Sequence, residues 1–114
     1  MTSCLFCRIA EGTLPSDKIA ETESVYAIRD INPMAPTHVL LIPKQHIVDS
    51  ARELGAAHGV LLGEVFTLAS RIARSEGLLG GWRLVTNVGS DAGQSVPHLH
   101  FHLLGGRALQ WPPG

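Results

Sequence analysis

No stretch of this 114-residue chain approaches the ~18 apolar residues of a membrane span. Its longest apolar run near the middle, Val39-Leu40-Leu41-Ile42, is only strand length. Basic charge is not in excess either: nine Lys and Arg stand against ten Asp and Glu, a formal net charge of −1. A protein that holds duplex DNA through its phosphates needs a basic surface. This composition supports none beyond a small local patch, so no nucleic-acid partner is expected. The first residues carry no long apolar stretch before a small-residue cleavage site, so no signal peptide and a cytoplasmic location are expected. Two cysteines cannot build a multi-bridge framework, and a reducing compartment disfavours a disulfide. The chain also lacks internal repeats, a GxxxxGK[ST] loop and a GxGxxG fingerprint.

What is present is the composition of one globular domain, residues 1–114, with 45% hydrophobic and 17% charged residues. Phe6 to Glu11 reads as a short helix stopped by Gly12. Ile19–Glu21 and Val25–Arg29 flank a polar Thr22-Glu23-Ser24 turn and read as a hairpin. Asp30 to Thr37, with two prolines, is a loop. Val39–Ile42 has the pattern of a strand buried on both faces, with a helix covering one of them. One long helix is expected from about Leu54 to Ser75, because Leu61, Val65, Leu68 and Ile72 form a stripe that Leu62 and Ala69 widen. Gly77 is its expected stop. Trp82–Val88 and Leu99–Leu104 are the remaining strands. Short strands with one dominant helix indicate an α+β fold with a mostly antiparallel sheet.

The strongest chemical signal is His98-Leu99-His100-Phe101-His102. Side chains alternate across a strand, so the three histidines share one face and the apolar residues take the other. A polar outer face is one reading, although Lys, Thr or Glu solvates such a face better. A single metal held by all three is a second. The outer two Cα atoms lie about 13 Å apart at ~3.3 Å per residue, too far for rings that must approach one ion within ~2.1 Å. The third reading is a nucleophilic imidazole, His100, flanked by helpers. Neutral imidazole is a good nucleophile when one ring nitrogen is free and the other is fixed by a hydrogen bond.

Upstream lies Gly89-Ser90-Asp91-Ala92-Gly93-Gln94-Ser95-Val96. By itself this is an ordinary glycine turn. Directly before three histidines it reads as a phosphate cradle, because glycines let backbone N–H groups converge on an anion and Ser95 adds a donor. Phosphoryl and nucleotidyl transfer depend chiefly on such positioning and charge stabilisation. The paired Cys4 and Cys7 suggest metal binding, with a redox pair or two unligated thiols as alternatives. His58 reads as an ordinary polar helix residue.

These segments, together with Asp30-Ile31-Asn32-Pro33, Pro36-Thr37-His38, Ile42-Pro43-Lys44-Gln45-His46-Ile47, Leu104-Gly105-Gly106-Arg107 and the Trp111-Pro112-Pro113-Gly114 tail, resemble the histidine triad (HIT) family. The resemblance covers nearly the whole chain and points to the branch of histidine triad nucleotide-binding proteins, the purine nucleoside phosphoramidases. It implies five antiparallel strands with one long and one short helix, and a homodimer joining two sheets into ten strands. It implies His100 as the nucleophile that is transiently nucleotidylated, with His102 and Ser95 on the phosphate, His38 assisting proton movement to the leaving amine, and Asn87 supporting the phosphate site. Gly93, Gln94 and Ser95 would form the cradle, and Asp30 would hold the ribose hydroxyls. Leu5, Phe6, Leu14, Ile31 and Leu40 would line the base pocket, with plain core the other reading for Leu14 and Leu40.

The chain also resembles microbial members whose structural, non-catalytic zinc would here be held by Cys4, Cys7, His46 and His98. No organic cofactor is implied. The activity implied is cleavage of the P–N bond of purine nucleoside 5′-phosphoramidates, including adenylylated lysine, with a nucleoside monophosphate as product. A nucleotide-binding regulatory or adaptor protein and a dinucleoside polyphosphate hydrolase are the alternatives; the tail counts against the latter.

Overall fold

The computed structural model describes residues 3–114. Among them a short helix, α1 (Leu5–Ala10), precedes a hairpin of β1 (Lys18–Glu21) and β2 (Val25–Arg29). Then come β3 (Thr37–Pro43), a long helix α2 (Gly59–Ser75), β4 (Trp82–Val85) and β5 (Phe101–Gly105). The strands form one antiparallel sheet in the order β1-β2-β3-β5-β4. This is the expected five-stranded α+β fold with one long and one short helix. β3 is central and buried at every position from Thr37 to Pro43, as its unbroken apolar run implies.

Alternation along the strands sorts the sheet into two faces. Val25, Ala27, Val39, Leu41, Phe101 and Leu103 point toward α2 and pack on Val65, Leu68, Ala69 and Ile72, the stripe expected from the sequence. Truncating a fully buried leucine of this core, such as Leu41 or Leu68, costs about 2–5 kcal/mol. Tyr26, Ile28, Leu40 and Ile42 point the other way and are covered by Phe6 of α1. His38 and His102 belong to this second face, since Leu40 pairs in register with His102 and His38 with Leu104.

Several boundaries differ from the sequence reading, the start of α2 most of all. α2 begins at Gly59 rather than Leu54, because Gly55 is extended and two short 3₁₀ turns, Ala51–Glu53 and Ala56–His58, occupy the approach. Glycine is the weakest helix former after proline. His58 lies just before α2, where its Nδ1 accepts the Gly55 N–H at 3.0 Å. At the other end Gly77, at φ +72°, terminates α2 as expected. The Leu78 N–H then reaches the Ala73 carbonyl and the Gly77 N–H the Arg74 carbonyl, the paired bonds of a Schellman stop.

β4 ends at Val85 rather than Val88, and β5 begins at Phe101 rather than Leu99. The two chains separate at that point. The Thr86 hydroxyl donates to the His100 carbonyl at 2.8 Å, and the Leu99 N–H turns to Val48 O at 3.1 Å. His98 and His100 therefore precede the ladder, while the alternation of faces persists through them.

Candidate active site

A cavity of about 520 Å³ lies between α1, the segment after it, the loop following β2 and the histidines. Leu5, Phe6, Leu14, Asp30, Ile31, Leu40, Ser95, His100 and His102 all line it, so most residues assigned to a nucleotide site from sequence meet at one place. Ile9, Pro15, Ser16, Asp17, Ile28, Arg29, Asn32 and Val96 complete the wall and were not singled out from sequence. Two of these carried a readable signal. Ile9 is one helical turn beyond Leu5 and Phe6, and Ile28 is the cross-strand partner of Leu40.

Three residues expected at the nucleotide stand off this wall. Asn87 is half-buried where the chain leaves β4. Gly93, at φ +82°, turns the exposed loop. Gln94 faces a separate polar cavity bounded by Asp49, Ser50, Arg52 and Ser90. Ser95 borders both cavities and a third that runs past Cys4 and His46.

The hydrogen bonds define which nitrogen of each histidine carries its proton. A neutral imidazole has one donor and one acceptor. Nδ1 of His100 faces the His98 carbonyl at 2.7 Å, so it must donate, and the lone pair is left on Nε2. The Met34 N–H donates to Nδ1 of His38 at 3.0 Å, so Nε2 of His38 carries the hydrogen. That N–H donates to Nδ1 of His102 at 2.9 Å, which leaves His102 with an N–H at Nε2. Within one cavity wall, His100 therefore presents an electron pair and His102 a proton. Asp30 stands 3.4 Å from Nε2 of His38, while its other carboxylate oxygen accepts the Asn32 N–H at 2.8 Å.

Burial holds the rings neutral. It lowers His100 against the opposing pull of the His98 carbonyl and the Asp30 charge, and lowers His38 against Asp30. His102 is pushed down to about 4 by burial, then by its His100 and His38 neighbours. Phe6 packs edge-on against His100, with ring centroids 4.9 Å apart, which excludes solvent from that side.

Two groups of side chains bring metal-ligating atoms within 4.8 Å of one another: Cys4, Cys7, His46 and His98, and Asp30, His38 and His102. Their protonation separates them. In the first group, His98 donates its Nε2–H to the Pro43 carbonyl at 2.9 Å, and His46 donates its Nε2–H to the Asp49 carboxylate. Both Nδ1 lone pairs are thereby turned inward. His98 Nδ1 is 3.1 Å from the Cys4 sulfur and 3.6 Å from that of Cys7, and His46 Nδ1 is 3.8 Å from Cys7. A tetrahedral zinc with sulfur at ~2.3 Å and nitrogen at ~2.0 Å spaces its ligands by about 3.3–3.8 Å. Carbonyl or carboxylate partners on the remote ring nitrogens are the usual support of ligating histidines. The donor set thus suits a closed tetrahedral ion. In the second group the Met34 amide occupies Nδ1 of His38, so its Nε2 aims a hydrogen at the place an ion would take.

Burial opposes ionisation of Cys4, but the Cys7 amide and thiol and the His46 ring outweigh it and lower the thiol. Burial and the Cys4 charge push Cys7 up to about 11.

Comparison with known proteins agrees with this geometry. The HIT domain family model matches residues 11–109. The 14 kDa zinc-binding protein of Zea mays is 46% identical over 113 residues, covering 96% of this chain and 87% of that one. A HIT family hydrolase from Legionella pneumophila superimposes with a TM-score of 0.94 at 47% identity, covering 98% of this chain and all of the other. The HIT family hydrolase of Clostridium thermocellum gives 0.91 at 44% identity, with 96% of both chains covered. With a family model spanning most of its length and its three histidines on one face of β5 and the segment before it, this chain belongs to the HIT domain family.

Proposed function

We propose that this protein is a nucleotide-binding hydrolase that cleaves the P–N bond of purine nucleoside 5′-phosphoramidates. The observation that carries the reading is the fixed pair of opposite ring nitrogens, the lone pair of His100 and the N–H of His102, beside Ser95 in one cavity. In the first step Nε2 of His100 attacks the α-phosphorus. The P–N bond to the amine breaks, and the amine departs after gaining a proton through His102 and His38. In the second step water attacks the same phosphorus, the bond to His100 breaks and a nucleoside monophosphate leaves, while the proton shed by the water replaces the one the histidine pair gave to the amine. His100 returns to its neutral form with Nδ1 still donating to the His98 carbonyl.

Ser95 and His102 serve as donors to the non-bridging oxygens, where charge accumulates. Asp30, at the mouth beside Ile31 and Asn32, accepts from the ribose hydroxyls. The apolar wall of Leu5, Phe6, Ile9, Leu14, Ile28 and Leu40 receives the base.

Cys4, Cys7, His46 and His98 would hold a zinc ion. Its four positions would be filled by protein, so the chemistry it supplies is structural: it ties α1 to the start of the histidine segment. The zinc-binding name of the maize relative and the inward-facing donor set support this. We read residues 1–114 as one domain that works as a cytosolic homodimer, an arrangement that the unpaired outer edge of β4 favours.

The deciding experiment offers the protein an adenosine 5′-phosphoramidate of a simple amine. Amine release is followed, and an enzyme–nucleotide adduct is sought by intact mass after acid-free quenching. Turnover with a trapped adduct that disappears in His100→Asn is the expected result. Binding of AMP without turnover would identify a regulatory binding protein instead.

A further inference from the structure

We infer that Gln94 is a positioning residue that holds the phosphate-binding loop in register for Ser95, and that it makes no contact with the nucleotide. The inference rests on the nucleotide reading above and deepens it. The loop from Gly89 to Val96 is exposed at Asp91, Ala92, Gly93 and Ser95. Its backbone bonds from Ala92 and Gln94 to Gly89 O and from Gly93 to Ser90 O stay within the loop, and the Val96 carbonyl accepts the His98 N–H just beyond it.

The Gln94 side chain does what those bonds do not. Its Oε1 accepts the Gly89 N–H at 3.0 Å. Its Nε2 donates to the Val96 carbonyl at 3.1 Å and to the Asp49 carbonyl at 2.8 Å. One end of the loop is thereby joined to the other, and both are joined to a segment 45 residues earlier. A primary amide has two N–H donors. Both are spent here, so none remains for a phosphate oxygen.

The residue type follows from these bonds. Asparagine is one methylene shorter. Glutamate would set a carboxylate against two carbonyl oxygens with nothing to donate. Lysine and arginine have no acceptor for the Gly89 amide. Ser95 and Val96 are the loop residues that border the nucleoside cavity, and of the two only Ser95 carries a side-chain donor for a phosphate. The effect of Gln94 is therefore assigned to the phosphate, through Ser95.

The test measures AMP and adenosine binding by calorimetry for the wild-type chain, Gln94→Ala and Gln94→Glu, each checked for a cooperative melt. Loss of the amide bonds is expected to weaken AMP about tenfold and to leave adenosine unchanged in both variants. Gln94→Ala is expected to add little in a Ser95→Ala background, because both act on the same contact. Equal weakening of AMP and adenosine would make the residue a general scaffold and overturn the inference. So would a Gln94→Ala protein that binds AMP as the wild type does. A wild-type chain that binds neither ligand overturns the nucleotide reading and this inference together, an outcome distinct from the other two.

Discussion

His100 and His102 are two residues apart and face one cavity, yet they present opposite chemistry to it, because the main chain decides the tautomer of each. The His98 carbonyl accepts a hydrogen bond from the His100 Nδ1–H, and the Met34 amide, acting through His38, fixes the proton of His102 on Nε2. Replacing His100 with asparagine removes the proposed nucleophile and keeps a small polar group on that face. The variant should fold, bind AMP and lose turnover by several orders of magnitude; near wild-type rates in a steady-state assay would refute the mechanism. Burial also links these rings to stability. His38 and His102 are neutral in the fold, with His102 held near 4, whereas unfolded histidine takes its proton near ~6.5. As the pH falls below ~6.5 the unfolded chain binds protons that the native one refuses. The stability present above ~6.5 is therefore lost progressively toward pH ~4. Thermal melts between roughly pH 7 and pH 5 should show Tm falling, with a shallower fall in His102→Gln; identical slopes for the two proteins would contradict the assignment.

At the scale of elements, α1 is too short to hold itself, and its six residues borrow their fixity from elsewhere. Cys4 caps it by accepting the Cys7 N–H, the Tyr26 hydroxyl donates to the Phe6 carbonyl at 2.7 Å, and both cysteine sulfurs face His98. Cys4→Ser with Cys7→Ser should therefore lower Tm while leaving substantial phosphoramidate turnover at low temperature. Metal analysis of the wild type should give about one zinc per chain for a closed tetrahedral site; a metal-free protein with both thiols titratable would remove the ion. Much of this was legible in the sequence. The period-two alternation gave both the strand and the shared face of His98, His100 and His102, and the 3.6-residue stripe gave the buried side of α2. The start of α2 was obscured because Ala56 and Ala57 favour helix while Gly55 and Gly59 oppose it, and 3₁₀ turns resolve that conflict. The ends of β4 and β5 were hidden because a side chain, Thr86, takes over the His100 carbonyl where a ladder bond was expected. The amide bond of Gln94 to the Asp49 carbonyl was not legible, since Asp49 is brought near only by the fold. Asp49 itself showed one readable sign, standing three residues after His46.

For the whole molecule, the sheet closes one edge poorly. Among the described residues β4 pairs only with β5, carries the partly exposed Trp82, and sends Arg83 to the carbonyls of Leu109 and Gln110. An uncovered strand edge favours pairing with a second copy. Light scattering at micromolar concentration should give the mass of a dimer, and a monomer mass would contradict the ten-stranded assembly. The Cys4–His98 contact has a further consequence, for the order in which the molecule comes into being. The partners are separated by 94 residues, and His100 follows the second of them almost at once. In a growing chain both cysteines therefore precede their His98 contact by more than ninety residues, and that contact waits for the last strand. The same event that would complete the proposed zinc ligands also brings in His100, so both proposed roles wait for the final strand. Competence arrives late and in one step.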